Sequence, residues 1–239
     1  MSVALGPAWR VLPHGSIERL EDDLWTVEGD LPGGPAMRRR MTLVRLPGGD
    51  LVIHNAVALD GEGMAAIEAW GRPAVLIVPN GWHRLDAAAF KARYPQLRVI
   101  CPAGAQRRVQ AVVPVDAHLD FLVPTPQLRL EPIGGLRHGE GAMLVRSPSG
   151  RASLVLNDLV FNLAPTGGIK GLLLRLSGST GGPKIPPLAR LLMIRDSRAV
   201  ATHLRRMAEV PNLVRILVSH GSIITSTPQM VLLQLAELL

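Results

Sequence analysis

Along the chain, apolar positions first come in short strand-like runs and then alternate between strand-like and helix-like spacing. Leu24–Glu28, Met37–Leu46 and Leu51–Asn55 predict strands, and Pro47-Gly48-Gly49-Asp50 between the last two is a hairpin signal. Met64, Ile67 and Trp70 place one apolar face on a helix over Gly63–Trp70. Ala74–Val78 then reads as a buried strand ending in Pro79-Asn80, Asp86–Tyr94 as a helix, Leu97–Cys101 as a strand and Gly104–Val112 as a helix. Such βα units favour parallel strands covered by helices. Antiparallel signals return with Leu128–Pro132, Ala142–Arg146 and Ser153–Leu156, the last two joined by the turn Ser147-Pro148-Ser149-Gly150. A Gly/Pro-rich stretch follows, a lid or helical insertion around 163–196 with a helix over Ile169–Leu176. Ser197–Ala208 reads as an amphipathic helix, Leu213–Val218 as a buried strand and Pro228–Leu239 as a closing helix with Pro in its first turn. No composition break marks a linker, so the pattern predicts one α/β (α+β) domain over 1–239, two mixed β-sheets flanked by helices.

Composition narrows the chemistry. Hydrophobic residues make up 47% and aromatic ones 3%, so the core must be built from Leu, Val, Ile and Ala. The single cysteine, Cys101, rules out an intrachain disulfide framework and a Cys-rich zinc module; it ends a buried strand and reads as a core thiol. A lone thiol suits a reducing compartment, and Met1–Arg10 lacks the basic start and apolar run of a targeting segment, so a cytoplasmic location is expected. Leu213–Val218 and Met230–Leu239 fall far short of the ~20 apolar residues of a membrane span. The net charge is +7, with 23 of the 26 basic residues arginine. That balance suits nucleic acid, a phosphorylated substrate or a membrane surface, or reflects a genome that favours Arg codons. Apart from Arg38–Arg40, Arg107–Arg108 and Arg205–Arg206 the basic residues are scattered, and no aromatic platform for base stacking accompanies them, so a nucleic-acid partner is not favoured. There is no dinucleotide-binding glycine fingerprint, no phosphate loop and no Gly-x-Ser-x-Gly elbow.

The residues that bear chemistry fall at strand ends. His83 and Asp86 follow the Ala74–Val78 strand, His138 precedes Ala142–Arg146, Asp158 follows Ser153–Leu156 and His220 follows Leu213–Val218. Loops there converge on one point of a rigid scaffold. Imidazole and carboxylate together suit zinc, iron or manganese, and such an ion with an open position makes hydroxide available at neutral pH. Each residue also has a plainer reading: a loop histidine bonded to backbone for His83, a helix cap for Asp86, an Asx turn for Asp158. His138 has no assignable packing role. His54, also at a strand end, reaches the same cavity or pairs with Asp60 or a carbonyl, whereas His14, His118 and His203 read as surface residues.

Three segments in order resemble the metallo-β-lactamase-fold superfamily over roughly Leu24 to His220. Arg137-His138-Gly139-Glu140-Gly141-Ala142 is similar to its lone-His turn, Asp158-Leu159-Val160-Phe161 to its bridging-Asp strand end, and Val218-Ser219-His220-Gly221 to its last His motif. The resemblance implies a four-layer αββα sandwich. The family's His-x-His-x-Asp-His motif is incomplete in Asn80-Gly81-Trp82-His83-Arg84-Leu85-Asp86. One register puts His83 at the second His and Asp86 at the last, with Gly81 and Leu85 replacing the first His and the Asp; another starts at Asn80 and keeps no motif ligand except that Asn. In the first register, one metal position keeps His83, His138 and Asp158 and the other Asp86, Asp158 and His220. The loss of the Asp that orients water weakens the case for strong hydrolysis. The resemblance thus implies a metal-dependent hydrolase with a reduced, perhaps mononuclear site, acting on a small-molecule ester, thioester, amide or phosphoester. The alternatives are an inactive binding or structural relative, or a nucleic-acid-processing protein.

Overall fold

Strands whose two faces are both buried lose the usual inside–outside alternation, and the central strands here show it. In the computed structural model, which describes residues 8–119 and 124–239, β3 (Gly34–Arg45) and β4 (Asp50–His54) form the expected hairpin. Leu43, Leu51 and Ile53 face one side of it, Val44 and Val52 the other, and all five are buried. Gly49 takes φ +82° in the connecting turn, a conformation that disfavours other residues.

Among the described residues, one sheet runs β1 (Glu18–Glu21), β2 (Leu24–Leu31), β3, β4, β5 (Arg72–Ile77), β6 (Arg98–Cys101), β7 (Ala117–His118) in spatial order. It is antiparallel up to β4 and parallel beyond. The second sheet has the order β11 (Leu213–Val218), β10 (Ala152–Leu156), β9 (Gly141–Arg146), β8 (Leu128–Pro132), parallel only between β10 and β11.

Three apolar layers hold the sheets. Val44, Val52, Ile77 and Ile100 meet Met143, Val145, Val155 and Leu217 between them. On the far side of the first sheet, Leu43, Ile53 and Val99 pack against Met64 and Ile67 of α1 (Gly61–Trp70), Phe90 of α2 (Ala87–Arg93) and Val109 of α3 (Gln106–Gln110). On the far side of the second, Leu154 and Ile216 pack against Val200 and Leu204 of α6 (Ser197–Ala208) and Leu232 and Leu235 of α7 (Pro228–Glu237). The result is helix, sheet, sheet, helix: the four-layer arrangement. Asp60 and Asp196 cap α1 and α6, accepting from Gly63 N at 2.8 Å and Ala199 N at 3.1 Å.

The 163–196 stretch holds α4 (Gly168–Leu176) and a helix that the pattern did not single out, α5 (Pro187–Met193). The strands β1 and β7 were also not anticipated; β1 is a charged edge segment and β7 spans two residues, so neither has a run long enough to show a period. The arginines at 38–40 do not form an exposed basic patch. Arg39 and Arg40 are buried and ion-paired to Asp86 and Glu28, and Arg38 bonds Asp30 at 2.9 Å. His203 is not a surface residue either: α6 buries it close to Glu131, at 3.4 Å.

Candidate metal centre

The ends of β4, β5, β10 and β11 face one another, and the residues just past each end build a polar cluster in the apolar frame. His83, from the loop after β5, sets Nε2 at 2.8 Å from Asp158 Oδ1. His220, just past β11, sets its Nε2 at 3.2 Å from the same oxygen and 3.3 Å from the His83 Nε2. The structure therefore brings together three of the five residues offered by the sequence.

Each member is aimed by a neighbour. Asn55 closes β4 in a left-handed conformation, φ 59°. Its amide nitrogen donates to Arg40 O at 2.8 Å and to Ser219 Oγ at 3.0 Å, which leaves its oxygen 3.1 Å from His83 Nδ1. His220 Nδ1 lies 2.6 Å from the Arg38 carbonyl. Both Nδ1 atoms face oxygen acceptors, so both donate. In the neutral rings both Nε2 atoms then carry lone pairs directed at the Asp158 carboxylate. Gly221 makes the turn behind His220 possible: it has φ +103°, and a Cβ there would lie 2.0 Å from Asn162 O.

Asp158 is held from two sides. Asn80, fully buried after β5, donates from Nδ2 to Asp158 Oδ2 at 2.7 Å and accepts from the N–H groups of Trp82 (2.8 Å) and His83 (3.1 Å), shaping the loop that presents the imidazole. The buried Glu140 accepts from the N–H groups of Asn157, Asp158 and Leu159 at 3.0, 2.9 and 3.2 Å, and so fixes the chain past β10. Burial works against charge on Asp158, but His83 and His220, in their protonated form with Nε2 donating, outweigh it and hold the carboxyl below the usual range. Burial, and the Asp158 charge beside it, push Glu140 up to about 8.

The other two residues point elsewhere. Asp86 stands at the start of α2 but makes no capping bond. Its carboxylate accepts from the buried Arg39 guanidinium and, at 2.8 Å, from Ala58 N. His138 is exposed and lies edge-on to Trp82, ring centres 5.7 Å apart. His54 is buried with Nε2 unpartnered; burial, and then the proximity of His83, lower its pKa to about 3, so it is a neutral core imidazole. Pattern reading overlooked Asn55, Glu140 and Arg39. A polar residue directly after an apolar strand was the available signal for Asn55, and a carboxylate between two glycines for Glu140.

Three acceptors at 2.8–3.3 Å from one another require a cation between them, a proton or a metal ion. Donor atoms bound at about 2.0–2.1 Å in a tetrahedral site stand about 3.3 Å apart; His220 lies at that spacing from Asp158 and from His83, and the 2.8 Å between His83 and Asp158 would have to open by about 0.5 Å to complete one face of such a site. Nδ1–H bonds to a carbonyl and an amide oxygen are the usual way in which metal-binding imidazoles are oriented.

Beside the cluster opens a cavity of about 480 Å³. Its walls are mainly apolar: Leu31 and Met37 on one side, Trp82 and Phe161 near the imidazoles, and Leu174 and Leu192 from α4 and α5.

This architecture is the metallo-β-lactamase fold. Over 96% of the chain it superposes on the DIM-1 metallo-β-lactamase exposed to ceftazidime, with a TM-score of 0.62, 13% identity and 99% of that chain covered. The FIM-1 enzyme from Pseudomonas aeruginosa in its mono-zinc form matches with a TM-score of 0.61 at 12% identity, covering 96% of this chain and 98% of that one. A metallo-β-lactamase from Erythrobacter litoralis, with β-mercaptoethanol in its active site, matches with a TM-score of 0.61 at 16% identity, covering 96% and 100%. No family model and no curated protein sequence matches the chain.

Proposed function

We propose that the protein binds one divalent transition metal through His83, Asp158 and His220 and is a hydrolase with a reduced, mononuclear site. The observation that carries this reading is the meeting of two imidazole lone pairs and a carboxylate within 3.3 Å, with both opposite ring nitrogens engaged as donors. Two nitrogens and one oxygen suit zinc, with iron or manganese as alternatives. A mono-zinc form of a structural neighbour supports a one-ion site. A bound ion would supply a Lewis acid that polarises a carbonyl or phosphoryl oxygen. The chain's own residues hold and shield that centre. Asn80 and Glu140 position Asp158, Asn55 and the Arg38 carbonyl orient the imidazoles, and apolar walls flank the approach. The cavity suits a small ester, thioester, amide or phosphoester with an apolar body.

A second reading, an inactive binding member of the fold, is favoured by what became of the other residues of the two metal positions that the resemblance implies. Asp86 is neutralised by Arg39, Leu85 stands where the resemblance puts a water-orienting Asp, and His138 faces solvent.

Metal content separates the two. Protein purified without added metal, then reconstituted and dialysed, is expected to retain about one ion per chain. His83→Ala and His220→Ala are expected to retain almost none, with loss of hydrolysis across an ester, thioester, amide and phosphoester panel. A ratio near zero for the parent protein after reconstitution removes the metal site. A full complement of metal with no turnover of any substrate class leaves the second reading.

A further inference from the structure

The segment from 163 to 195 contains five of the 26 basic residues and no acidic one, leaving 21 basic and 19 acidic residues for the rest of the chain. Most of the net charge of +7 therefore sits on about a seventh of the sequence. Across the rest of the molecule, arginines meet carboxylates: Arg38, Arg39, Arg40, Arg93 and Arg215 are examples. Among the described residues, Arg175, Lys184, Arg190 and Arg195 form no ion pair with an Asp or Glu side chain; Arg190 reaches Leu239 O at 3.4 Å and Lys184 bonds Thr180 O.

The same segment has its apolar faces turned outward. On α4, Ile169, Leu172, Leu173 and Leu176 recur at the spacing of one helical face, and that face is 53–81% exposed. On α5, Leu188, Leu191 and Leu192 repeat the pattern at 51–73% exposure. Leu188 and Leu192 also line the cavity beside the metal cluster, as do the exposed Trp82 and Leu85. Outward leucines of this number are costly in water and mark a surface that is covered in use.

We propose that α4 and α5 dock this protein on the surface of an anionic lipid bilayer, the leucines entering the acyl boundary and the segment's basic side chains resting among the headgroups. Basic residues interleaved with an exposed leucine face are the signature of an interfacial helix, which lies on the bilayer and does not cross it. Consistent with that, no helix among the described residues is long and apolar enough to cross a membrane. Charge decides against the other apolar partner available, a second copy of the chain. Face-to-face association would set a segment with five basic residues and no acidic one against its own copy, whereas an anionic surface neutralises it. Docked in this way, the mouth of the cavity faces the lipid.

Co-sedimentation of the full chain with vesicles tests this. Vesicles of phosphatidylcholine with one third phosphatidylglycerol are expected to pellet the protein, and pure phosphatidylcholine vesicles to leave most of it in solution. At about 0.5 M salt, where the Debye length is about 4 Å, the protein should release. Arg175→Gln and Arg190→Gln should each weaken binding about fivefold, since a cation near an anionic surface contributes about 1 kcal/mol. The double variant Leu173→Asn, Leu191→Asn should lose binding while melting like the parent, because both side chains are already in water. The same pelleting by chelator-treated protein would show that docking stands independently of the metal site. Failure to bind anionic vesicles overturns the proposal, as does binding that is equal on neutral vesicles and insensitive to salt. A concentration-dependent dimer dissolved by the double leucine variant, without vesicle binding, would assign the face to a second copy instead.

Discussion

His220 and His138 have similar settings in sequence: each stands beside a glycine, at a strand end of the second sheet. In the fold they differ in burial and in what holds the ring: His220 is buried and His138 exposed. His220 gives its Nδ1–H to the Arg38 carbonyl, so its other nitrogen is held toward Asp158. His138 rests against Trp82 at the surface. Asp158 and Asp86 repeat the contrast. One carboxylate faces two imidazoles, the other a buried guanidinium. A side chain able to ligate becomes part of a site only when its remaining valences are satisfied by neighbours that aim it.

The comparison is open to attack by mutation. The largest effect is expected on the side away from the cluster. Asp86→Ala leaves Arg39 buried without its partner and Ala58 N without an acceptor, which should cost about 3–5 kcal/mol in denaturant unfolding. The metal complement of the folded fraction should be unchanged; a lost ion would place Asp86 in the site after all. Next, Asn80→Ala removes the amide that holds Asp158 Oδ2 and should weaken metal affinity by about 10–100-fold in a competition titration. An unchanged affinity would mean that Glu140 and the imidazoles suffice. Smallest, His138→Ala should stay within about 0.5 kcal/mol of the parent in stability and keep the same metal stoichiometry, as exposed positions usually do. A drop in metal content there would erase the contrast between the two histidines.

Legibility in the sequence followed the length of the periodic runs. Leu128–Pro132, Leu213–Val218 and Ser197–Ala208 coincide with β8, β11 and α6, because several apolar residues in phase leave one geometry that buries them. The same periodicity misleads about what a face meets. α6 and α4 both carry apolar residues at three- and four-residue spacing, yet α6 buries Val200 and Leu204 whereas α4 exposes Ile169 and Leu176. His203 shows the reverse error, a polar residue read as exposed that sits inside beside Glu131. The arginines at 38–40 looked like a basic run, but the alternation of β3 carries Arg39 and Arg40 to opposite faces, each onto a different carboxylate.

The sequence by itself determined the order of strands and helices, the hairpin turns and the likeness to the metallo-β-lactamase fold, because these depend on neighbours within a few residues and on the order of short motifs. It also placed the candidate ligands at strand ends. Which of them meet was decided by tertiary structure alone. Asp158 and His220 lie 75 and 137 positions from His83 in the chain, and the contact of the three depends on how two sheets stack and on hydrogen bonds with Asn55, Asn80, Glu140 and the Arg38 carbonyl. Hydrogen bonds across such separations leave no period in the sequence, so only the packed fold can show them.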